Sequence, residues 1–127
     1  MNQNIKEVDI KDLAFRIARY CEDKKAIDTE VLDIQGVSDM SDYIVICSGE
    51  STAQLKAIAR NVEESMTDFQ HVEPLLKEGK YGDKWYLLDY GDVIVHIIEQ
   101  SARDFYNLEE LWQNALFIPR NEWAEEI

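Results

Sequence analysis

The sequence is short of the residues that metal centres, disulfide scaffolds and phosphate-binding surfaces draw on. Its 127 residues include two Cys, two Pro and five Gly, and only two His. Two cysteines make no disulfide framework, and the spacing of Cys21 and Cys47 matches no metal motif. Both stand among apolar neighbours, which predicts buried, reduced thiols. Of the two histidines, His96 sits inside an apolar run and His71 in an expected loop, so a two-histidine ligand set has no support. Cations are scarce as well: 13 Lys+Arg face 26 Asp+Glu, a net charge of -13. The longest cationic run is Lys24-Lys25. Binding a row of phosphates needs a basic surface, so little or no direct nucleic-acid binding is expected, and no attachment to an anionic membrane. The longest apolar run, Val93 to Ile98, is interrupted by His96 and is far too short to cross a bilayer. Met1 to Asn4 opens no charged-then-apolar signal segment. The expectation is a cytoplasmic chain whose acidity keeps it soluble or selects a basic partner.

What is present is the material of a core. Apolar residues make up 46% of the chain and aromatics 10%, enough to offset the entropy of ordering, and the length fits one domain. Ile10, Leu13, Ala14, Ile17, Ala18 and Cys21 recur at helical spacing after Asp9, a plausible N-cap. Glu30 to Ile34 reads as a strand, and so does Tyr43 to Cys47, whose unbroken apolar run suits burial on both faces. Ser51 and Gln54, three apart, open a second helix as a capping box. Leu55, Ile58, Ala59, Val62 and Met66 continue it at helical spacing. Pro74 breaks the chain, and Lys77 to Asp83 reads as a loop. Trp85 to Tyr90 and Val93 to Ile98 are strands separated by Gly91-Asp92, the spacing of an antiparallel hairpin. A last helix runs from about Ser101 through Phe105, Leu108, Leu111 and Trp112. Pro119 stops it, and 121–127 is expected to fray as an acidic tail. The order predicts an α/β fold: one domain, with a mixed sheet packed by helices. The strands on either side of the middle helix are expected to run parallel.

Several residues invite a catalytic interpretation. Asp39 and Asp42 precede the second strand, and Asp89 and Asp92 flank the hairpin turn. Carboxylates at strand ends can hold Mg²⁺ for nucleotidyl transfer. Such a site also needs a phosphate cradle, and Ser48-Gly49-Glu50-Ser51 has one glycine and a carboxylate where phosphate would lie. Turn aspartates ordinarily serve backbone hydrogen bonds. His96 could serve as a base, alone or in a dyad with Cys47, but apolar surroundings raise a thiol's pKa and leave it inert. The pattern favours no enzyme, no cofactor and no metal.

Strand alternation is more telling. Trp85, Leu87 and Asp89 point to one face of the sheet, and Tyr86, Leu88 and Tyr90 to the other. His96 falls between Ile94 and Ile98, facing away from Val93, Val95 and Ile97. If helices cover one face only, the other presents aromatic, aliphatic and acidic groups together, which is interface composition. If a third helix covers that face, Trp85 is core. The pattern leaves both open.

Three stretches carry a resemblance: Ser41-Asp42-Tyr43-Ile44-Val45-Ile46-Cys47-Ser48-Gly49, the block from Trp85 to His96, and Arg103-Asp104-Phe105-Tyr106-Asn107-Leu108-Glu109-Glu110-Leu111-Trp112. Together they resemble the Iojap family, the ribosomal silencing factors, from the first helix to Trp112. On this basis 1–118 forms the domain and 119–127 lies beyond it as a tail. The resemblance implies a nucleotidyltransferase-like fold without that catalytic signature. It also implies binding to the large ribosomal subunit through its L-fourteen protein, blocking union with the small subunit and lowering translation under nutrient limitation. By their place in the matching block, the implied contacts are Trp85 as anchor and Asp89 beside it, then Tyr90, Asp92 and His96. Tyr90 would need a twist or bulge to join them. A metal-dependent nucleotidyltransferase resting on Asp39, Asp42, Asp89 and Asp92 is one alternative. A homodimer or adaptor built on the sheet face or the last helix is the other.

Overall fold

The computed structural model describes residues 9–80 and 84–124. Helix α1, Ile10–Glu22, starts where Asp9 accepts hydrogen bonds from the amides of Lys11 (3.0 Å) and Asp12 (3.3 Å). These are first-turn donors with no partner inside the helix. Its stripe of Leu13, Ala14, Ile17, Ala18 and Cys21 is buried. Strand β1 spans Ile27–Asp33, and β2 spans Tyr43–Gly49, buried at every position as its apolar run requires. Helix α2, Thr52–Ser65, begins where Ser51 Oγ accepts from the Gln54 amide at 3.1 Å. The Gln54 side chain reaches back to the Glu50 amide at 2.8 Å, one residue earlier than in the usual box. A single wide turn, Met66–Gln70, extends the helix until His71 ends it in the left-handed region (φ 60°).

The second half departs further from expectation. Leu76–Lys80 is strand β3, where a loop was expected to begin at Lys77. The remainder of that loop, 81–83, lies outside the described residues. β3 is too polar to read as a strand and is defined by its pairing with β4, Trp85–Asp89. Gly79 opposes Tyr86, and a Cβ there would stand 2.4 Å from the Tyr86 ring, so the ring lies across bare backbone. Strand β5, Val93–Glu99, completes the expected hairpin, closed by Tyr90 N–H to the Val93 carbonyl at 2.9 Å. Gly91 takes φ +89° at the first turn position, a conformation open to glycine without strain.

The expected final helix is two helices, α3 (Gln100–Tyr106) and α4 (Leu108–Leu111), parted by Asn107 at φ 52°. Strand β6, Leu116–Ile118, and helix α5, Arg120–Trp123, follow. The expectation of a frayed segment is corrected for its described residues. Trp123 is 1% exposed and packs with the α1 side of the core. Arg19 Nη1 donates to the Trp123 carbonyl at 2.7 Å, and the Arg120 guanidinium lies 5.0 Å from the centre of the indole ring. Arg120 also pairs with Glu22 at 2.7 Å. One large buried aromatic outweighs the solvation of its acidic neighbours. Residues 125–127 of that segment lie outside the described residues.

The sheet order is β3-β4-β5-β2-β1-β6. Among the described residues only β2 and β5 pair in parallel, from Tyr43↔Val93 to Gly49↔Glu99. The parallel partner of β2 is therefore β5 and not the strand that follows α2, and the β3–β4 hairpin is pushed to the edge. The reason is burial: the apolar run of β5 can be covered on both faces, whereas β4 is covered on one. Helices α1, α2 and α5 pack on one face over Val31, Val45, Cys47, Val95 and Ile97. On the other, Leu32, Ile34, Ile44, Ile46 and Ile98 form a smaller cluster with Leu108, and Trp85, Ile94 and Trp112 remain partly exposed.

Candidate interaction surface

The half-covered face is where the sequence-predicted residues divide. Trp85 leaves β4 on this face, and His96 leaves β5 on it one diagonal position away. The indole Nε1–H of Trp85 donates to His96 Nδ1 at 3.1 Å, with ring centres 5.9 Å apart. An indole N–H can only donate, so Nδ1 accepts and the neutral ring carries its proton on Nε2. Burial holds the His96 pKa down to about 4, well below the usual 6.5. The imidazole is therefore uncharged at neutral pH, and it braces Trp85.

Tyr106, at the end of α3, lies with its ring centre 5.3 Å from that of Trp85, and Phe105 stands edge-on to Tyr106 at 5.1 Å. Phe105 and Tyr106 are 81% and 55% exposed. For two rings this large, that exposure marks a place where a partner would remove apolar surface from water. Between α3 and β4, Lys84, Trp85, Ala102 and Tyr106 line a cleft of about 400 Å³. Neither Tyr106 nor Phe105 was expected at the site. The sequence carried little signal for them, since adjacent apolar residues can share the buried stripe of a helix, as Leu13 and Ala14 do in α1.

The remaining expected contacts behave differently. Asp89 shares the Trp85 face and is partly exposed, but its Oδ1 accepts from the Gly91 amide at 2.8 Å, a turn-stabilising bond. Asp92 is exposed at the hairpin tip, and its carbonyl accepts from the amides of Asp42 (3.0 Å) and Tyr43 (3.1 Å). Tyr90 is corrected: it is 8% exposed on the opposite face, packed into the α1–α2 core. No bulge turns it toward Trp85, because the β4–β5 register is continuous through Asp89↔Ile94. Its hydroxyl is buried with no hydrogen-bond partner among the described residues, and burial pushes its pKa up.

The dyad of Cys47 with His96, which the sequence disfavoured, is not formed. Cys47 belongs to the α1–α2 side of the sheet, and His96 faces the other side. Cys47 instead neighbours Cys21, whose thiol is pushed well up by that contact and by burial. Asp39 lies exposed before β2, and Asp42 is drawn to the hairpin through the Asp92 carbonyl. Among the described residues no three His, Cys, Asp or Glu side chains are grouped to hold a metal ion. Nor, among them, is any helix long and apolar enough to cross a membrane.

These features define a class: a single-domain α/β protein with a mixed sheet, one face fully packed and the other half open around a tryptophan. Comparison with known proteins narrows it. A family model described as "Ribosomal silencing factor during starvation" matches residues 7–126. The chain is 41% identical over 98 residues to the ribosomal silencing factor of Bacillus subtilis, covering 77% of this chain and 82% of that one. It is 31% identical over 121 residues to the chloroplastic Iojap protein of Arabidopsis thaliana, covering 87% and 46% of the two. A crystal structure of a Chromobacterium violaceum protein superposes with a TM-score of 0.79 at 29% identity, covering 84% of this chain and 88% of that one. One from Bacillus halodurans gives 0.73 at 34%, covering 86% and 98%. The chain belongs to the ribosomal silencing factor family, which also contains the Iojap proteins. The match runs through 119–126, beyond the Trp112 limit of the resemblance read from sequence.

Proposed function

We propose that this protein binds the large ribosomal subunit through its L-fourteen protein and thereby blocks joining of the small subunit, repressing translation when nutrients are short. The observation that carries the reading is the family match across residues 7–126. The physical features agree with it. A chain of net charge -13 is repelled by RNA and attracted to a basic protein patch. Trp85 and Tyr106 supply rigid aromatic surface, and Asp89 and Asp92 set charge beside it. His96 fixes the Trp85 indole before a partner arrives, which reduces the entropy lost on binding.

The mechanism is steric. An interface of roughly 800 Å² on each partner is enough for a specific complex, and a domain held at the joining surface occupies space that the other subunit needs. The protein acts as a binding partner without catalysis, in the cytoplasm where ribosomes work. Cosedimentation with isolated large and small subunits tests this. The expected result is association with the large subunit alone, weaker at moderate salt through slower association, and fewer joined particles when the protein is present. Large subunits that ignore the protein, or join normally while carrying it, would refute the proposal. Light scattering across concentrations tests whether free copies pair.

A further inference from the structure

Helix α3 carries Tyr106 to Trp85, yet it has no apolar stripe of its own to dock with. Its buried residue is Arg103, 5% exposed. The Arg103 guanidinium is held by groups on both β1 and β2. Nη1 donates to the Asp28 carbonyl at 2.7 Å and to Ser48 Oγ at 3.0 Å, and Nη2 meets Glu30 Oε1 at 3.3 Å. The receiving side is shaped for it. Asp28 takes φ +51°, and the β1–β2 register shifts between Ile27 and Glu30, a bulge that turns a strand carbonyl toward the helix. Apolar packing tolerates sliding, whereas a planar fork held on three oxygens fixes both position and rotation. Tyr106 lies three residues beyond Arg103, one helical turn along the same short helix.

We propose that Arg103 is a positioning residue for the interaction surface: its guanidinium, seated in the β1 bulge and on Ser48, sets α3 so that Tyr106 closes the cleft against Trp85. This rests on the proposed function for its consequence in binding, but not for its consequence in the free protein. Lysine at 103 keeps the charge and loses the fork. Arg103→Lys is therefore expected to fold cooperatively while releasing the Tyr106 ring from Trp85.

Two readouts test this. In the free ¹⁵N-labelled protein, the Trp85 indole resonance, assigned by its absence in Trp85→Phe, should shift in Arg103→Lys, while those of Trp112 and Trp123 stay in place. In binding to large ribosomal subunits, Arg103→Lys and Tyr106→Ala should each lose at least fivefold in affinity. The double variant should lose no more than Tyr106→Ala alone, since the arginine acts through that ring. Should Arg103→Lys fail to fold, Ser48→Ala removes one acceptor and should move the same resonance by a smaller amount. An unshifted indole resonance in a folded variant overturns the inference, and so do losses that simply multiply. If the wild-type protein does not bind large subunits, the functional proposal fails, and the indole resonance still decides the role of Arg103.

Discussion

Replacing His96 by glutamine tests the arrangement of the interaction surface without reference to any partner. In the folded protein burial holds the His96 pKa down to about 4, against an ordinary 6.5. The folded state thus binds its proton later than the unfolded chain as pH falls. The stability contributed by the neutral ring is fully present above pH 6.5 and is lost as pH falls toward 4. The gap corresponds to about 3 kcal/mol in full, and to about 2 kcal/mol by pH 5. Other carboxylates titrate at the acid end of this range, so the informative quantity is the difference between wild type and His96→Gln. Urea unfolding at pH 7.5, 6 and 5 measures it. The wild-type midpoint should fall relative to the variant by on the order of 1 M between pH 7.5 and 5. Protonation also ends the acceptance of the Trp85 N–H by Nδ1, so the indole should report the same transition. Parallel pH profiles for the two proteins would refute the reasoning, because they would mean that His96 titrates alike folded and unfolded.

Other outcomes follow from the same structure. Trp85→Ala should weaken binding to large ribosomal subunits by at least ~2 kcal/mol, about 30-fold in Kd, while Trp85→Phe, which keeps a ring but leaves Nδ1 without its donor, should fall between; unchanged affinity in a folded alanine variant removes Trp85 from the surface. Tyr90→Phe removes a buried hydroxyl that has no partner among the described residues. It should leave subunit binding unchanged and raise stability by about 1 kcal/mol in urea unfolding, and a clear loss would show that the hydroxyl is satisfied in solution. Trp123→Ala should cost about 3–5 kcal/mol, the range for emptying a large aromatic site in a core, and a loss below about 1 kcal/mol would mean that α5 does not stay docked.

The sequence by itself determined what depends on neighbours in the chain. The α1 stripe and its Asp9 cap, the Ser51 start of α2, the fully buried β2 and the Gly91-Asp92 turn are all local patterns: a 3.6-residue period, a side chain within reach of a free amide, a glycine free to take positive φ. Alternation along β4 likewise set Trp85 and Tyr90 on opposite faces, and along β5 it set His96 apart from Val95, while the register between the two strands put His96 beside Trp85. Tertiary structure alone decided what depends on distant partners. The polar segment Leu76–Lys80 is a strand because β4 offers it an edge and Gly79 lies under the Tyr86 ring. Trp123 is core because Arg19 and Arg120 hold its segment against α1. Arg103 is buried because a bulge 75 residues earlier supplies a carbonyl. Pairing with a distant strand or cavity leaves no period in the sequence, since its energy resides in surfaces that exist only once the sheet has assembled.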